Sequence, residues 1–251
     1  VLTAASLMVA ADAAADAVER AQRLPNLRVG LHVVLVEGRP MLPPDQVPDL
    51  VDARGVFRED IAWAGVRMFV LPHVRRQLRA EVAAQFAAFA RTGLKLDHVN
   101  SHLHFHLHPT ILSAILETGR RYGMTTIRTP IEPRAVLKAV EPGERLRIPW
   151  VAAPWAELVR FRLRQAGVRS PDSVFGFYWS GAMTTPRLKG LIDHLPEGLS
   201  EIYLHPATRG GFDFCADGAL YEQEAQALID PTVIEAVRRS GAQLGGFADF
   251  V

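Results

Sequence analysis

Five of the nine histidines fall within one stretch, HVNSHLHFHLHP, at His98, His102, His104, His106 and His108. Imidazole is the side chain that moves protons near neutral pH and, when neutral, ligates divalent metals. On an extended strand alternate residues face one side about 6.6 Å apart. Two such histidines can share one cation, but five would span roughly 30 Å at strand rise. The chain must therefore bend inside the run. Strand propensity ends at His102, which reaches the site, with His104 and His106 on the loop beside it. His108 reads as the residue before a helix opened by Pro109, or as a surface residue. His32, late in LRVGLHVVL, is the second ligand expected on a strand end, and a third would be a carboxylate or histidine from another strand. A catalytic zinc site has three protein ligands and an open position. Zn²⁺ suits histidine and carboxylate donors better than Mg²⁺, which prefers oxygen. His73, His98 and His194 read as structural histidines.

These groups need strands that end together. VLTAASLMV, LRVGLHVVLVEG, LKLDHVNSH, MTTIRTP, SVFGFY, LSEIYLHP and AQLGGFADF read as strands. Between them, helical spacing recurs at ADAAADAVERAQRL, RRQLRAEVAAQFAAFARTG, PTILSAILETGRRYG, residues 152–168, TPRLKGLIDHL and EQEAQALIDPTVIEAVRRSG, the last interrupted by Pro231. Gly93 and Gly123 fall where C-terminal glycines close helices. Residues 38–60 are punctuated by Pro and Gly and read as a loop. Strand alternating with helix predicts an α/β fold with a mainly parallel sheet, an incomplete barrel, whose chemistry sits at the C-terminal strand ends. His32, His102, Arg128 and His205 all fall at or near such ends.

Composition narrows the function. At 251 residues and 49% hydrophobic, the chain suffices for a sizeable core, and without a linker it reads as one domain over 1–251. A net charge of +1 and no basic stripe argue against a nucleic-acid partner. The one cysteine, Cys215, excludes an intramolecular disulfide and a multi-cysteine zinc site, and makes the cytoplasm the default compartment. No segment reads as membrane-spanning. Residues 61–79 (IAWAGVRMFVLPHVRRQLR) place Trp63, Met68, Phe69, Val70 and Leu71 before Arg75, Arg76 and Arg79. The pattern fits an amphipathic lid that meets lipid, a helix packed on the barrel, or a dimer interface. Phe175, Phe177, Tyr178 and Trp179 either stack on a sugar or fill the core.

GLH at Gly30–His32, HVNSHLHFHLHP, IRTP at Ile127–Pro130 and EIYLHPA at Glu201–Ala207 together resemble the YdjC-like carbohydrate deacetylases over nearly the whole chain. LVEGRPMLPP, DHVNSH and HFHLHP are most similar to the branch associated with hopanoid biosynthesis. The resemblance implies an incomplete (β/α) barrel of the TIM type and a divalent metal, Zn or Mg, held by an Asp-His-His set. His32 and His102 match the two histidines. Asn100 stands where the family has Asp. The family's Asn-Ala-Asp-Asp-Phe-Gly run, which supplies the third ligand and the general base, has no match, so the chain is expected to begin after its first strand and helix. Two imidazoles without a carboxylate hold a cation weakly, so as written the chain is expected to bind metal poorly and lose activity.

The implied activity is removal of an acetyl group from an N-acetylglucosaminyl hopanoid lipid, at the inner face of the membrane, with chitooligosaccharides as the alternative substrate. His205 is the candidate acid for the leaving amine. Asn100, His104, His106 and Arg128 are candidate sugar contacts, although His104 and His106 would equally orient His102, and Arg128 would equally serve a structural ion pair. A peripheral membrane contact and a homodimer are the further partners considered. Two other classes compete: a non-catalytic module that sequesters divalent metal, and a metal-dependent endonuclease on a similar barrel. Leu94, Leu96 and Val99 around the histidine run favour a built site over an exposed storage tract.

Overall fold

A computed structural model describes residues 1–143, 152–212 and 215–250. The chain forms two compact units. One comprises Thr3–Ile127, Leu163–Arg169 and the residues from Gly245 on; the other comprises Arg128–Arg162 and Ser170–Leu244, with Val1 and Leu2.

The first unit is built on a parallel sheet in the order β1 (Ala4–Leu7), β2 (Arg28–Val33), β3 (Leu96–Ser101). Its connections are helical: α1 (Ala14–Gln22) joins β1 to β2, and α2 (Ile61–Val70) and α3 (Pro72–Arg91) lie between β2 and β3. Ser6 pairs with Gly30, and His32 with Asn100. Leu31, Val33 and Val99 are wholly buried, as parallel strands covered on both faces require. After β3, α4 (Pro109–Arg121) contributes Ile111, Leu112 and Ile115 to the same core as Leu78, Val82 and Phe86 of α3. Gly93 and Gly123 follow α3 and α4 at φ of 74° and 71°, the left-handed turn expected of them.

The second unit carries α5 (Arg134–Val140), α6 (Ala152–Gln165, which ends in the first unit), β4 (Ser173–Phe175), α7 (Thr185–Asp193), β5 (Ser200–Ile202), α8 (Tyr221–Ile229) and α9 (Pro231–Ser240). β4 and β5 pair in parallel. Its core gathers Leu137, Phe175, Trp179, Met183, Leu191, Val233 and neighbours. Phe175 and Trp179 therefore fill the core, while Phe177 is half exposed.

Three expectations need correction. MTTIRTP is no strand; it contributes only parallel bridges, Ile127 to Val99 and Thr126 to Arg169. AQLGGFADF is no strand either. Its Phe247–Asp249 segment is a 3-10 turn, because the carboxylate of Asp97 takes the amides of Phe247 and Ala248 that a strand would spend on a neighbour. Pro231 does not interrupt one helix but opens a second, α9, with Asp230 capping Thr232.

Candidate functional site

β3 ends at Ser101, and the chain turns at once into a 3-10 segment over His102–Leu107. The alternating histidines therefore leave the strand, and His102 stays beside His32 of β2. The His32 and His102 ring centroids lie 5.7 Å apart with planes crossing at 72°. Two strand ends thus deliver two imidazoles to one place. Burial pushes His102 below the ordinary imidazole range, against the pull of Glu37, whose Oε2 lies 3.6 Å from His102 Nε2. His102 is therefore neutral at pH 7 and keeps a lone pair for a ligand.

His32 is fixed from behind. Its Nδ1 donates to Asn100 Oδ1 at 2.6 Å. Asn100 is fully buried, and its Nδ2 donates to Ser6 Oγ at 2.8 Å. Both ends of the Asn100 amide are engaged within the sheet, so this side chain orients His32 from within. Ser6 in turn meets His98 Nε2 at 2.9 Å, and His98 Nδ1 meets Asp97 Oδ2 at 2.8 Å. Burial pushes the Asp97 carboxyl up, but the His98 bond and the Ala248 and Phe247 amides prevail and hold it below the usual range.

The backbone at this place is strained. Among the described residues, the non-glycine positions with positive φ are Glu37 (49°), Leu103 (50°) and His104 (53°), and all three flank His102 or its partner. Such conformations cost about 1–3 kcal/mol each and gather at functional sites. His106 is fully buried, with its Nδ1 and backbone amide both on Ser101 Oγ at 2.8 and 2.7 Å. The His104 ring stands 6.0 Å from it. His108 precedes Pro109 at the start of α4, as expected, packed near Gly65, Phe69 and Phe105. Burial lowers its pKa. His73 lies 3.5 Å from Asp49, and His194 closes α7 on Gly190 O.

Arg128 and His205 belong to the second unit. Arg128 is buried; its Nε and Nη2 donate to Glu201 Oε1 at 2.9 and 2.5 Å, and it lies 4.2 Å over the Tyr203 ring. This is the ion-pair placement. Burial raises the Tyr203 phenol, which stays protonated. His205 is exposed beyond β5, with its ring edge-on to Tyr203 at 5.7 Å. Its backbone amide is held by Glu224, a fully buried carboxylate that also takes the Met183 amide. An exposed imidazole on a clamped backbone can carry a proton to a ligand. Glu132 grips the backbone of Gly176, Phe177 and Tyr178 in the same way.

Sequence reasoning missed Ser6, Glu37, Glu201 and Glu224. Glu201 had a signal, an acid inside the short strand SEI; Ser6 is the one polar residue of AASL. A divalent ion implied by the histidines can be tested against these donors. Nδ1 of His32 is spent on Asn100, which leaves Nε2 as the lone-pair nitrogen, and His102 is neutral, so two ligand nitrogens fit. Among the described residues no group of three or more His, Cys, Asp or Glu side chains is placed to hold a metal.

Comparison with known proteins gives three findings. A family model described as YdjC-like protein matches residues 1–239. A carbohydrate deacetylase of Geobacillus stearothermophilus is 30% identical over 257 aligned residues, covering 100% of this chain and 87% of the relative; one of Thermoanaerobacter pseudethanolicus is 23% identical, covering 99% and 88%. Among solved structures, a protein of Enterococcus faecalis provisionally assigned to cellobiose-phosphate cleavage superposes with a TM-score of 0.72 at 22% identity, covering 98% of this chain and 87% of that one.

Proposed function

We infer what this chain does from one premise: it belongs to the YdjC-like protein family. It is a carbohydrate N-deacetylase, a hydrolase that cleaves the acetamide of an amino sugar. The observation that carries this reading is the convergence of His32 and His102 from adjacent strand ends, in a chain whose full length aligns with carbohydrate deacetylases.

His32 through Nε2 and His102 would hold a divalent ion, Zn²⁺ before Mg²⁺, with a carboxylate completing the set; when bound, such an ion polarises an amide carbonyl and acidifies water. The chain's own residues place the two imidazoles. Asn100 keeps His32 turned toward its partner. Burial keeps His102 neutral. Glu37 and the strained turn at Leu103 and His104 hold the His102 ring at the strand end. The departing amine is too basic to leave as an anion and needs a proton donor, for which His205 would be the candidate. His104 lies beside this place as a sugar contact, and Arg128 with Glu201 anchors β5, the strand that His205 follows.

The finer reading is an N-acetylglucosaminyl lipid substrate, with chitooligosaccharides as the alternative, on an incomplete barrel. Its support is the half-exposed apolar face of α2, with Trp63 at 59% and Phe69 at 58% exposure beside the histidine turn. No helix among the described residues is long and apolar enough to cross a membrane, so contact with a lipid at the cytoplasmic face would be peripheral.

The test uses the gene product that carries this chain, purified and supplied with Zn²⁺. It releases acetate from chitobiose or an N-acetylglucosaminyl lipid, and release falls to background with EDTA or in His32→Ala. Release that survives both treatments overturns the metal assignment. Absence of acetate from either substrate overturns the deacetylase.

A further inference from the structure

We propose that Asp97, His98, Ser6 and Asn100 are a chain of positioning residues that fixes the proton of His32 on Nδ1 and presents Nε2 as its lone-pair nitrogen. The direction of every hydrogen bond follows from one end. Asp97 also receives the amides of Phe247 and Ala248 at 3.1 and 2.9 Å, so its oxygens act as acceptors. His98 Nδ1 must then donate to it, at 2.8 Å. With a single proton on the ring, Nε2 is an acceptor, and the Ser6 hydroxyl, 2.9 Å away, spends its one proton there. The Ser6 oxygen is left to accept from Asn100 Nδ2 at 2.8 Å. The carbonyl end of the amide therefore faces His32 and accepts its Nδ1 proton at 2.6 Å.

The three strands are shaped for this line. Ser6, His98 and Asn100 sit on β1 and β3, either side of β2, and the His98 ring passes under β2 at Gly30. A Cβ on Gly30 would stand 2.5 Å from His98 Nε2, so the glycine before Leu31 and His32 is the space the ring occupies. Phe247 closes the other face, stacked at 4.4 Å with planes 28° apart. His98, Asn100 and Asp97 are each at most 3% exposed. Water therefore competes little at these three residues, which makes the Asp97–His98 and Asn100 ends stiff, while Ser6 between them is exposed and its two bonds are part-buried. Partners that hold the far nitrogen of a ligand histidine typically tune metal affinity by about 10–100-fold.

The test is long-range proton–nitrogen NMR on the metal-free, substrate-free protein with ¹⁵N-labelled histidine at neutral pH. His32 and His98 are expected to show a pyrrole-type Nδ1 and a pyridine-type Nε2. Ser6→Ala is expected to give His32 a mixture of tautomers and to weaken Zn²⁺ binding, titrated calorimetrically, by about 10–100-fold. Ser6→Thr keeps the hydroxyl and keeps the wild-type pattern. A wild-type His32 protonated on Nε2 overturns the proposal, and that measurement needs no variant to fold. So does an unchanged tautomer in Ser6→Ala, or an equal loss in Ser6→Thr, which would assign the effect to packing. The proposal rests on the reading of His32 as a ligand only for the use made of Nε2. A protein with the stated tautomer but no acetate release refutes that reading alone.

Discussion

At the scale of single residues, the exposed His205 and the strained Leu103 make opposite demands. His205 has its backbone held by Glu224 and an exposed side chain, and the proposed role as proton donor rests on it. His205→Ala should lower kcat by about 10²–10⁴-fold while KM changes little, and should remove one limb of the pH–rate profile. Steady-state kinetics across pH measures both; a KM effect alone would make His205 a binding residue. Leu103 stores strain instead. Leu103→Gly removes about 1–3 kcal/mol of left-handed backbone cost, less the roughly 0.4–1 kcal/mol of entropy that glycine adds to the unfolded chain. Melting should rise by a few degrees, at about 2–4 °C per kcal/mol for a chain of this size, while acetate release falls. A melting temperature that drops would show that packing by the leucine outweighs its strain. The histidine run was legible as a site because its residue type is rare and clustered. Asn100 was legible as a departure from a motif and as a candidate sugar contact, but its hold on His32 was not, because sequence spacing says which face a residue takes and not which neighbour absorbs its amide.

Elements show where sequence patterns fail and what replaces them. Strand and helix alternation gave β1 to β5 and most of the helices. AQLGGFADF misled because its apolar alternation matches a strand, yet Gly245 and Gly246 and the distant Asp97 carboxylate turn it into a 3-10 segment. No local pattern announces an acceptor about 150 residues away. The segment after β2 is similar: residues 34–42 have no regular structure, but Gln85 takes both backbone groups of Val34, and Glu81 takes the amides of Met41 and Leu42. Two polar residues one turn apart on α3 thereby hold the segment that carries Glu37. Glu81→Ala unpairs the part-buried amides of Met41 and Leu42, at no more than about 1–3 kcal/mol for each group lost. A lower urea midpoint together with weaker His102 positioning, read as loss of Zn²⁺ affinity, is the expected result; lower stability with unchanged affinity would confine Glu81 to the fold. Gly30 makes the matching case within β2. Gly30→Ala drives a methyl into the His98 ring, and overpacking of that kind costs about 1–3 kcal/mol. Thermal melting checks it, and an unchanged transition would mean the ring moves aside freely.

For the whole molecule, His102 and His108 set how stability responds to acid. Burial holds both below the ordinary imidazole pKa of about 6.5. The unfolded chain therefore binds more protons than the folded one as pH falls below that value, and stability declines from there until the folded-state values are passed. Melting temperature measured between pH 7.5 and 5 should fall before most carboxylates titrate, and a flat profile would contradict the burial of these two rings. Asp97 adds loss at still lower pH, since its folded value lies below its unfolded one. The Phe247 and Ala248 amides that help keep it there come from about 150 residues further along the chain. During translation all three strands of the first sheet leave the ribosome long before those amides exist. Until then the nascent unit holds a half-satisfied carboxylate under an uncovered imidazole, so its window for chaperone capture stays open through synthesis of the entire second unit.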